Sequence, residues 1–307
     1  MPRPPILVTG SHRSGTGWVS DMLAATPAPT LRTIWEPFNL NARRGVRQAP
    51  FRYWFTYVTD ANAAEFREPL ERMLAWRYSV AAELPTLRSP KDLARMVRDR
   101  WVTSSNRRAH AVPLSKDPIA VFSAEWMSDT FGMDAIVLIR HPAAFCHSIV
   151  KQGWWHPFDH FTAQPAMMRD LLADHAEEIE RFARTPQPLL DQAVLLWTLI
   201  HEHIARMRAR RPQWLFLRLE DLSRAPVEGF RDLYERLGLA WSDDVERAVV
   251  DSSAEGNPAV TTQASSRRRD SRAAISAWKD RLRPEEQAAI KERTDPLWRE
   301  FYADEDW

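Results

Sequence analysis

Ile6-Leu7-Val8-Thr9-Gly10-Ser11-His12-Arg13-Ser14-Gly15-Thr16-Gly17-Trp18 is the stretch that decides the fold. An apolar run of strand character enters a loop framed by two glycines, and the chain beyond it reads as a helix. Gly10 and Gly15 are separated by four residues, so the backbone can wrap an anion while successive N–H groups and the positive helix end face it. The nucleotide-triphosphatase form of this loop continues with Gly-Lys-Ser/Thr and uses the lysine on the terminal phosphates. Here the sequence continues Gly15-Thr16-Gly17. The cation lies inside the loop, at Arg13, where a planar guanidinium can hold oxygens in pairs. A kinase or nucleotide triphosphatase is therefore the rival reading that the glycine spacing allows and the missing Lys-Ser/Thr opposes.

Working outward, strands are expected near residues 5–9, 31–35, 111–115, 135–139 and 214–219. Helices are expected near 15–25, 62–78, 90–101, 119–130, 142–152, 165–184, 188–210, 227–237 and 284–301. Alternation of this kind implies an α/β fold, a mostly parallel central sheet flanked by helices, with ligands at the carboxyl ends of the strands. The chemistry-bearing residues fall at those ends. A five-residue apolar strand, Ala135 to Ile139, delivers Arg140; His141-Pro142 then opens a helix, and Ser148 follows eight residues after the arginine. An arginine and a hydroxyl so placed can converge on one phosphate monoester. Ala111 to Ser115 similarly delivers Lys116-Asp117-Pro118, and Leu31 to Trp35 delivers Glu36 before Pro37-Phe38.

These motifs resemble, in order, those of the sulfotransferases that use 3′-phosphoadenosine 5′-phosphosulfate (PAPS), with a P-loop-like architecture. His12 to Thr16 resembles their 5′-phosphosulfate loop, and Arg140 with Ser148 their 3′-phosphate site. Lys116-Asp117-Pro118 is similar to a step found in the protein-tyrosine and carbohydrate branches, where the lysine faces the sulfuryl group. Glu220-Asp221-Leu222 and Leu233 to Leu239 resemble later scaffold segments. Arg267-Arg268-Arg269, with Ser276-Ala277-Trp278-Lys279 after it, resembles the loop that closes over the nucleotide. The resemblance implies donor contacts from Gly10, Ser11, His12, Arg13, Ser14, Gly15, Thr16, Gly17, Trp18, Arg140, Ser148 and Arg267 to Arg269. It implies Arg13 and Lys116 at the sulfate and bridging oxygens, and Glu36 as the base. Partial burial beside Trp35 and Phe38 is expected to raise the Glu36 pKa. Gly17 departs from the pattern, since many members carry Thr or Ser there. The implied reaction moves a sulfuryl group from PAPS to a hydroxyl acceptor by in-line displacement and releases 3′-phosphoadenosine 5′-phosphate (PAP). No metal is expected, because this group carries fewer charges than a phosphoryl group.

Composition sets outer limits. A chain of 307 residues with 44% hydrophobic residues can bury a substantial core. One domain is expected over 1–307, with 41–110 as a helical insertion on the acceptor side. Lysine and arginine total 42 against 41 acids, which gives no general attraction to nucleic acid or an anionic membrane. The single cysteine, Cys146, cannot form an internal disulfide and leans towards the cytoplasm. Only Met1 to Pro5 precede the first strand, so neither a leader nor a membrane segment is expected. Ser252 to Asn257 and Thr261 to Ser266 read as a mobile polar loop.

The acceptor side is less determined. Arg43, Arg44, Arg47 and Arg52 suit an anionic acceptor, while the aromatic residues of 51–57 and Trp154, Trp155 and Phe158 suit sugar rings, phenols or lipid tails. Carbohydrate, glycolipid and other small-molecule hydroxyls all remain open. His110, His147 and His156 are secondary candidates for the base, and the spacing of His201 with His203 does not suit zinc. A non-catalytic protein that binds PAP or a glycan on the same scaffold is the second rival.

Overall fold

The computed structural model describes residues 3–255, 257 and 270–307. The Arg267 to Arg269 run and the 261–266 segment lie outside the described residues. Five strands form one sheet: β1 (Ile6–Gly10), β2 (Leu31–Trp35), β3 (Val112–Lys116), β4 (Asp134–Ile139) and β5 (Leu215–Arg218). Their order is β2-β3-β1-β4-β5, and every pairing is parallel. The class is thus α/β as expected, and each strand falls within about a residue of its expected place.

The strands occur where they do because both faces of the central ones are covered. All five residues of β1 are buried, so its apolar run is continuous, whereas β2 at the edge buries Leu31 and Ile34 and exposes Arg32 and Trp35. Ile6, Val8, Ile136 and Leu138 pack on one face against Val19 and Leu23 of the helix Thr16–Ala24 and Phe230 and Tyr234 of the helix Pro226–Arg236. Leu7, Val137 and Ile139 face the other way, towards Phe145 of the helix Pro142–Gln152 and Trp197 of the helix Leu189–Arg210. The period-two alternation of each strand therefore builds two cores, one on each side of the sheet.

Register sets the site. Val8 pairs with Lys116, Trp35 with Lys116, Gly10 with Leu138, and Ile139 with Arg218. The carboxyl ends of β1, β2, β3 and β4 thus finish close together, and the residues that follow them meet.

Helices depart from expectation where a backbone partner is lost. The expected 284–301 helix ends at Arg293, with a short turn at Leu297–Glu300, because Pro296 brings no N–H and its ring crowds the preceding turn. Pro284 starts it as expected, and Gly238, at φ +61°, lies just past the helix Pro226–Arg236. The expected 165–184 helix divides into Pro165–Asp170, Ala173–His175 and Ala176–Arg184, and the Arg206 guanidinium takes the Leu171 carbonyl at 2.9 Å. Ser252 is no loop residue: it is buried at the end of the helix Asp243–Ser253, capped by Ser242. Between β2 and β3 the chain forms several short helices and the longer Pro90–Arg108.

Candidate active site

At the end of β1 the backbone turns through two positions that exclude or strain an ordinary residue. Gly10 has φ +121°, and a Cβ there would lie 2.1 Å from the Leu138 carbonyl oxygen. Gly15 has φ +85°, and its Cβ would lie 2.6 Å from Leu219 Cδ1. Ser11 and Ser14 are fully buried and shape the loop from within: Ser14 N–H donates to the Ser11 carbonyl at 3.3 Å, and so does the Ser14 hydroxyl. Gly15 is the N-cap of the following helix and offers no side-chain acceptor to its first turn. A glycine cap with a left-handed arginine two residues before it leaves the positive helix end facing the cleft, as an anion cradle requires.

A cavity of about 1150 Å³ opens over this loop, lined by His12, Arg13, Gly15, Thr16, Gly17 and Trp18. Arg140, Lys116 and Glu36 line it too, so the ends of four strands contribute to one space. Arg140 is held from several sides. One of its guanidinium nitrogens donates to the Arg13 carbonyl, and the buried Trp197 indole donates to the Arg140 carbonyl at 2.9 Å. The next residue, His141, donates its backbone N–H to Glu220 Oε1 at 3.0 Å, and Tyr302 donates its hydroxyl to Glu220 Oε2 at 2.8 Å. Burial raises the Glu220 carboxyl above its usual pKa despite those bonds. Ser148 accepts from Arg13 Nε at 3.0 Å, so this hydroxyl orients the loop arginine, while Arg140 itself lines the cavity.

Lys116 and Glu36 form an ion pair, and the Glu36 N–H also donates to the Lys116 carbonyl at 2.8 Å as the β2–β3 ladder ends. The expectation for the Glu36 pKa is corrected here. Burial does push it up, but Lys116, through charge and hydrogen bond, and Asn39, donating to Oε2 at 2.8 Å, outweigh burial and hold it below the usual range. Asp117, whose part is not evident from the sequence, clamps this pair. Its Oδ1 accepts from Ile119 N–H at 2.9 Å and its Oδ2 from Phe38 N–H at 2.6 Å, tying the segments after β3 and β2 together. Burial lifts the Asp117 carboxyl to about 7 against the pull of the Phe38 bond.

Aromatic rings close the other side. The Arg13 guanidinium lies over Trp154, 5.4 Å from the ring centroid, and Lys116 Nζ lies 5.4 Å from the Trp35 centroid. The His12 ring packs among Phe55, Phe145 and Trp154, and its burial lowers its pKa to about 3. His156 also lines the cavity, with a pKa pushed well below the usual histidine value by burial; His110 and His147 do not line it. The arginines expected to receive an anionic acceptor are elsewhere: Arg43 pairs with Glu83 and Asp99, Arg52 with Glu65, and Arg47 is buried on the Asn39 and Leu40 carbonyls. Ser252, Ser271 and Ile275, which sequence reasoning missed, line the same cavity as Trp18, whose indole donates to the Ser252 hydroxyl at 2.8 Å. Among the described residues no group of three His, Cys, Asp or Glu side chains is placed to hold a metal ion, and no helix is long and apolar enough to cross a membrane.

A parallel α/β sheet with a glycine-framed loop at its carboxyl edge, and a lysine–glutamate pair beside it, defines an α/β protein with a candidate anion site. A sequence model of the sulfotransferase family matches residues 4–243, and the chain belongs to that family. Among solved structures, it is similar to the sulfotransferase domain from the curacin biosynthetic pathway at 15% identity and a TM-score of 0.51, covering 95% of this chain and 97% of that one. The sulfotransferase domain of the Synechococcus PCC 7002 olefin synthase matches at 17% identity and a TM-score of 0.49, over 99% of this chain and 96% of that one. Mouse sulfotransferase SULT7A1, solved in complex with PAP, matches at 10% identity and a TM-score of 0.44, over 99% of this chain and 87% of that one. No curated protein matches.

Proposed function

We propose that this sulfotransferase takes its sulfuryl group from PAPS and passes it to a hydroxyl acceptor, of carbohydrate, glycolipid or other small-molecule type, releasing PAP. The observation that carries this reading is the convergence of Arg13, Lys116, Glu36 and a glycine-capped helix end on one cavity. Three demands of the reaction match three features. The 5′-phosphosulfate needs N–H groups and a planar cation, supplied by the loop from His12 to Trp18 and by Arg13. The 3′-phosphate needs a fixed cation, supplied by Arg140, with Ser148 bracing the neighbouring Arg13. The hydroxyl needs a group to take its proton, supplied by Glu36.

In the step itself the acceptor oxygen bonds to sulfur as the bond from sulfur to the bridging phosphate oxygen breaks. The electron pair leaves with PAP, and the acceptor proton passes to a Glu36 oxygen. Such transfer depends on alignment and on charge placed where it develops, which Arg13 and Lys116 provide at the sulfate and bridging oxygens. Lys116 already neutralises Glu36. An incoming sulfate therefore competes for the lysine, and a carboxylate that loses part of its partner becomes the stronger base. Residues 41–110 form the insertion on the acceptor side of one domain over 1–307, a reading supported by Asn41, Ala42, Trp54 and Phe55 lining the cavity.

The test is thermal stabilisation by PAP, compared with 5′-AMP and with ATP plus magnesium. A ligand at a hundred times its dissociation constant adds about 2.7 kcal/mol. PAP should stabilise the wild type selectively, and Arg140→Ala should abolish the effect. Preference for ATP would favour a kinase or triphosphatase instead, and PAP binding without turnover on any hydroxyl would leave a binding protein.

A further inference from the structure

The cavity extends beyond the anion loop, and its walls there differ in kind from the donor end. The two cations nearest the transfer point each rest on an indole face, Arg13 on Trp154 and Lys116 on Trp35. An acceptor oxygen that reaches the sulfuryl group must bring its body against those rings. Trp155 lines the same space and is 68% exposed, although a ring of that size is normally buried. Two of the polar side chains here are engaged within the protein, and the Asn41 amide and His160 Nε2 are the side-chain groups left at this wall. Asn39 donates to Glu36 and accepts from Asn41 N–H, and His160 Nδ1 accepts from Trp54 N–H at 2.9 Å. Among the described residues the arginines and lysine lining the cavity are Arg13, Lys116 and Arg140, all at the loop and strand ends. Deeper in the cavity, two buried imidazole nitrogens have no hydrogen-bond partner among the described residues, His12 Nδ1 and His156 Nε2, with Phe55 packed between the two rings.

We propose that the acceptor is an uncharged hydroxyl compound with a flat, apolar body, of the phenol or aryl-alcohol class, held between Trp35, Trp154 and Trp155. This rests on the sulfotransferase reading and narrows it. A sugar would need several hydrogen-bond partners for its hydroxyls, and this wall has few to give. An anionic acceptor would bring its charge against indoles and neutral imidazoles, with no spare arginine or lysine among the described residues beyond the transfer site. An aryl ring gains both stacking and apolar burial there, and the imidazole nitrogens can receive one further polar group.

The experiment uses the whole chain in two stages. PAP binding is measured first by thermal shift; its absence overturns the sulfotransferase reading and this proposal with it. With PAPS, PAP release is then compared for 2-naphthol, 6-hydroxy-2-naphthoate and methyl β-glucoside. The proposal expects 2-naphthol to lead in kcat/KM by about tenfold or more, the factor a poorly compensated buried charge or unpaired hydroxyl brings. Binding of 2-naphthol to the PAP complex, followed by tryptophan fluorescence, provides a readout independent of turnover. Trp155→Ala should raise the KM or dissociation constant for 2-naphthol about fivefold while PAP binding stays as in the wild type. If PAP binds while the glucoside or naphthoate matches 2-naphthol, or 2-naphthol neither reacts nor binds, the acceptor assignment is wrong and the donor assignment stands. An unchanged 2-naphthol constant in both Trp154→Ala and Trp155→Ala also overturns it.

Discussion

The Glu36–Lys116 pair is the residue-scale feature with the most chemical content, because one contact sets both the charge and the basicity of the proposed base. In the wild type the pair holds the Glu36 carboxyl below its usual pKa, so it is ionised across the neutral range. Its sign follows from linkage. A carboxyl depressed in the folded state contributes stability that is present above its unfolded value and lost as pH falls through its folded value. Lys116→Met removes the partner but keeps the burial, which is the largest influence on Glu36 and acts upwards. The carboxyl should then titrate above the ordinary range, and the acid limb of turnover against pH should move to higher pH, alongside a loss in rate of about a hundredfold from the missing cation. A pH–rate profile of the variant decides this; an acid limb at the wild-type position would remove Glu36 as the titrating base. A second residue-scale prediction concerns Gly15. Its φ of +85° and the closeness of Leu219 mean that Gly15→Ala must distort the loop or its neighbour. The cost is about 1–2 kcal/mol for the backbone alone, visible in a denaturant titration, and PAP affinity should fall with it. Wild-type stability in Gly15→Ala would show that the loop relaxes without strain.

At the scale of elements, strands carry the fold and the loops after them carry the chemistry, and Asp117 shows how the two are joined. Its carboxylate binds one N–H after β2 and one after β3, so the Glu36 and Lys116 segments move as one body. Asp117→Ala leaves two buried N–H groups unsatisfied, at about 1–3 kcal/mol each, and should loosen the pair. The expected result is a large loss of kcat with a smaller change in PAP affinity, because Asp117 meets Val8 and Thr9 ahead of the phosphate loop through its backbone, which the variant keeps. Equal losses in both, measured by steady-state kinetics and thermal shift, would make Asp117 a general stability residue instead. This joint was not legible in the sequence, although much around it was. All five strands were, the central ones because a strand covered on both faces tends to an unbroken apolar run, as Ala135 to Ile139 is, and the others from shorter apolar stretches such as Leu31 to Trp35. Gly10, Gly15 and Arg13 were legible as a cradle, because a turn of that kind needs glycine at fixed places. The direction of the Glu36 pKa was not, because its partner lies 80 residues away and local burial by Trp35 and Phe38 points the other way. Nor was the separation of Arg43 and Arg52 from the cavity, because a run of arginines does not reveal Glu83, Asp99 and Glu65 waiting elsewhere. The helix Asp243–Ser253 carries a usable signal of its own in the sequence: Ser242 followed by Asp243, Asp244 and Glu246 is a capped, acidic first turn.

For the molecule as a whole, the end of the described chain reaches back to the donor site through Glu220. Tyr302 and His141 both donate to it, and His141 stacks on Trp278 and meets Trp307 edge-on, with ring centroids 4.9 and 4.5 Å apart. Arg140 therefore depends for its position on residues more than 130 positions away in sequence. Overall charge cannot substitute for this, since the chain carries a net charge of only +1 and attraction for an anionic donor must be local. Two variants separate the possibilities. Tyr302→Phe removes one donor to Glu220 and should cost about 1 kcal/mol of stability with little effect on PAP. Glu220→Ala also frees the buried His141 N–H, so the Arg140 backbone loses its fixed direction while the guanidinium remains. PAP affinity should then fall about tenfold or more, beyond the loss in unliganded stability. The comparison is made by thermal shift over a PAP titration for each protein. If Glu220→Ala is less stable than the wild type yet binds PAP equally well, Trp197 and the Arg13 carbonyl alone fix the arginine, and the C-terminal packing serves stability without serving the donor site.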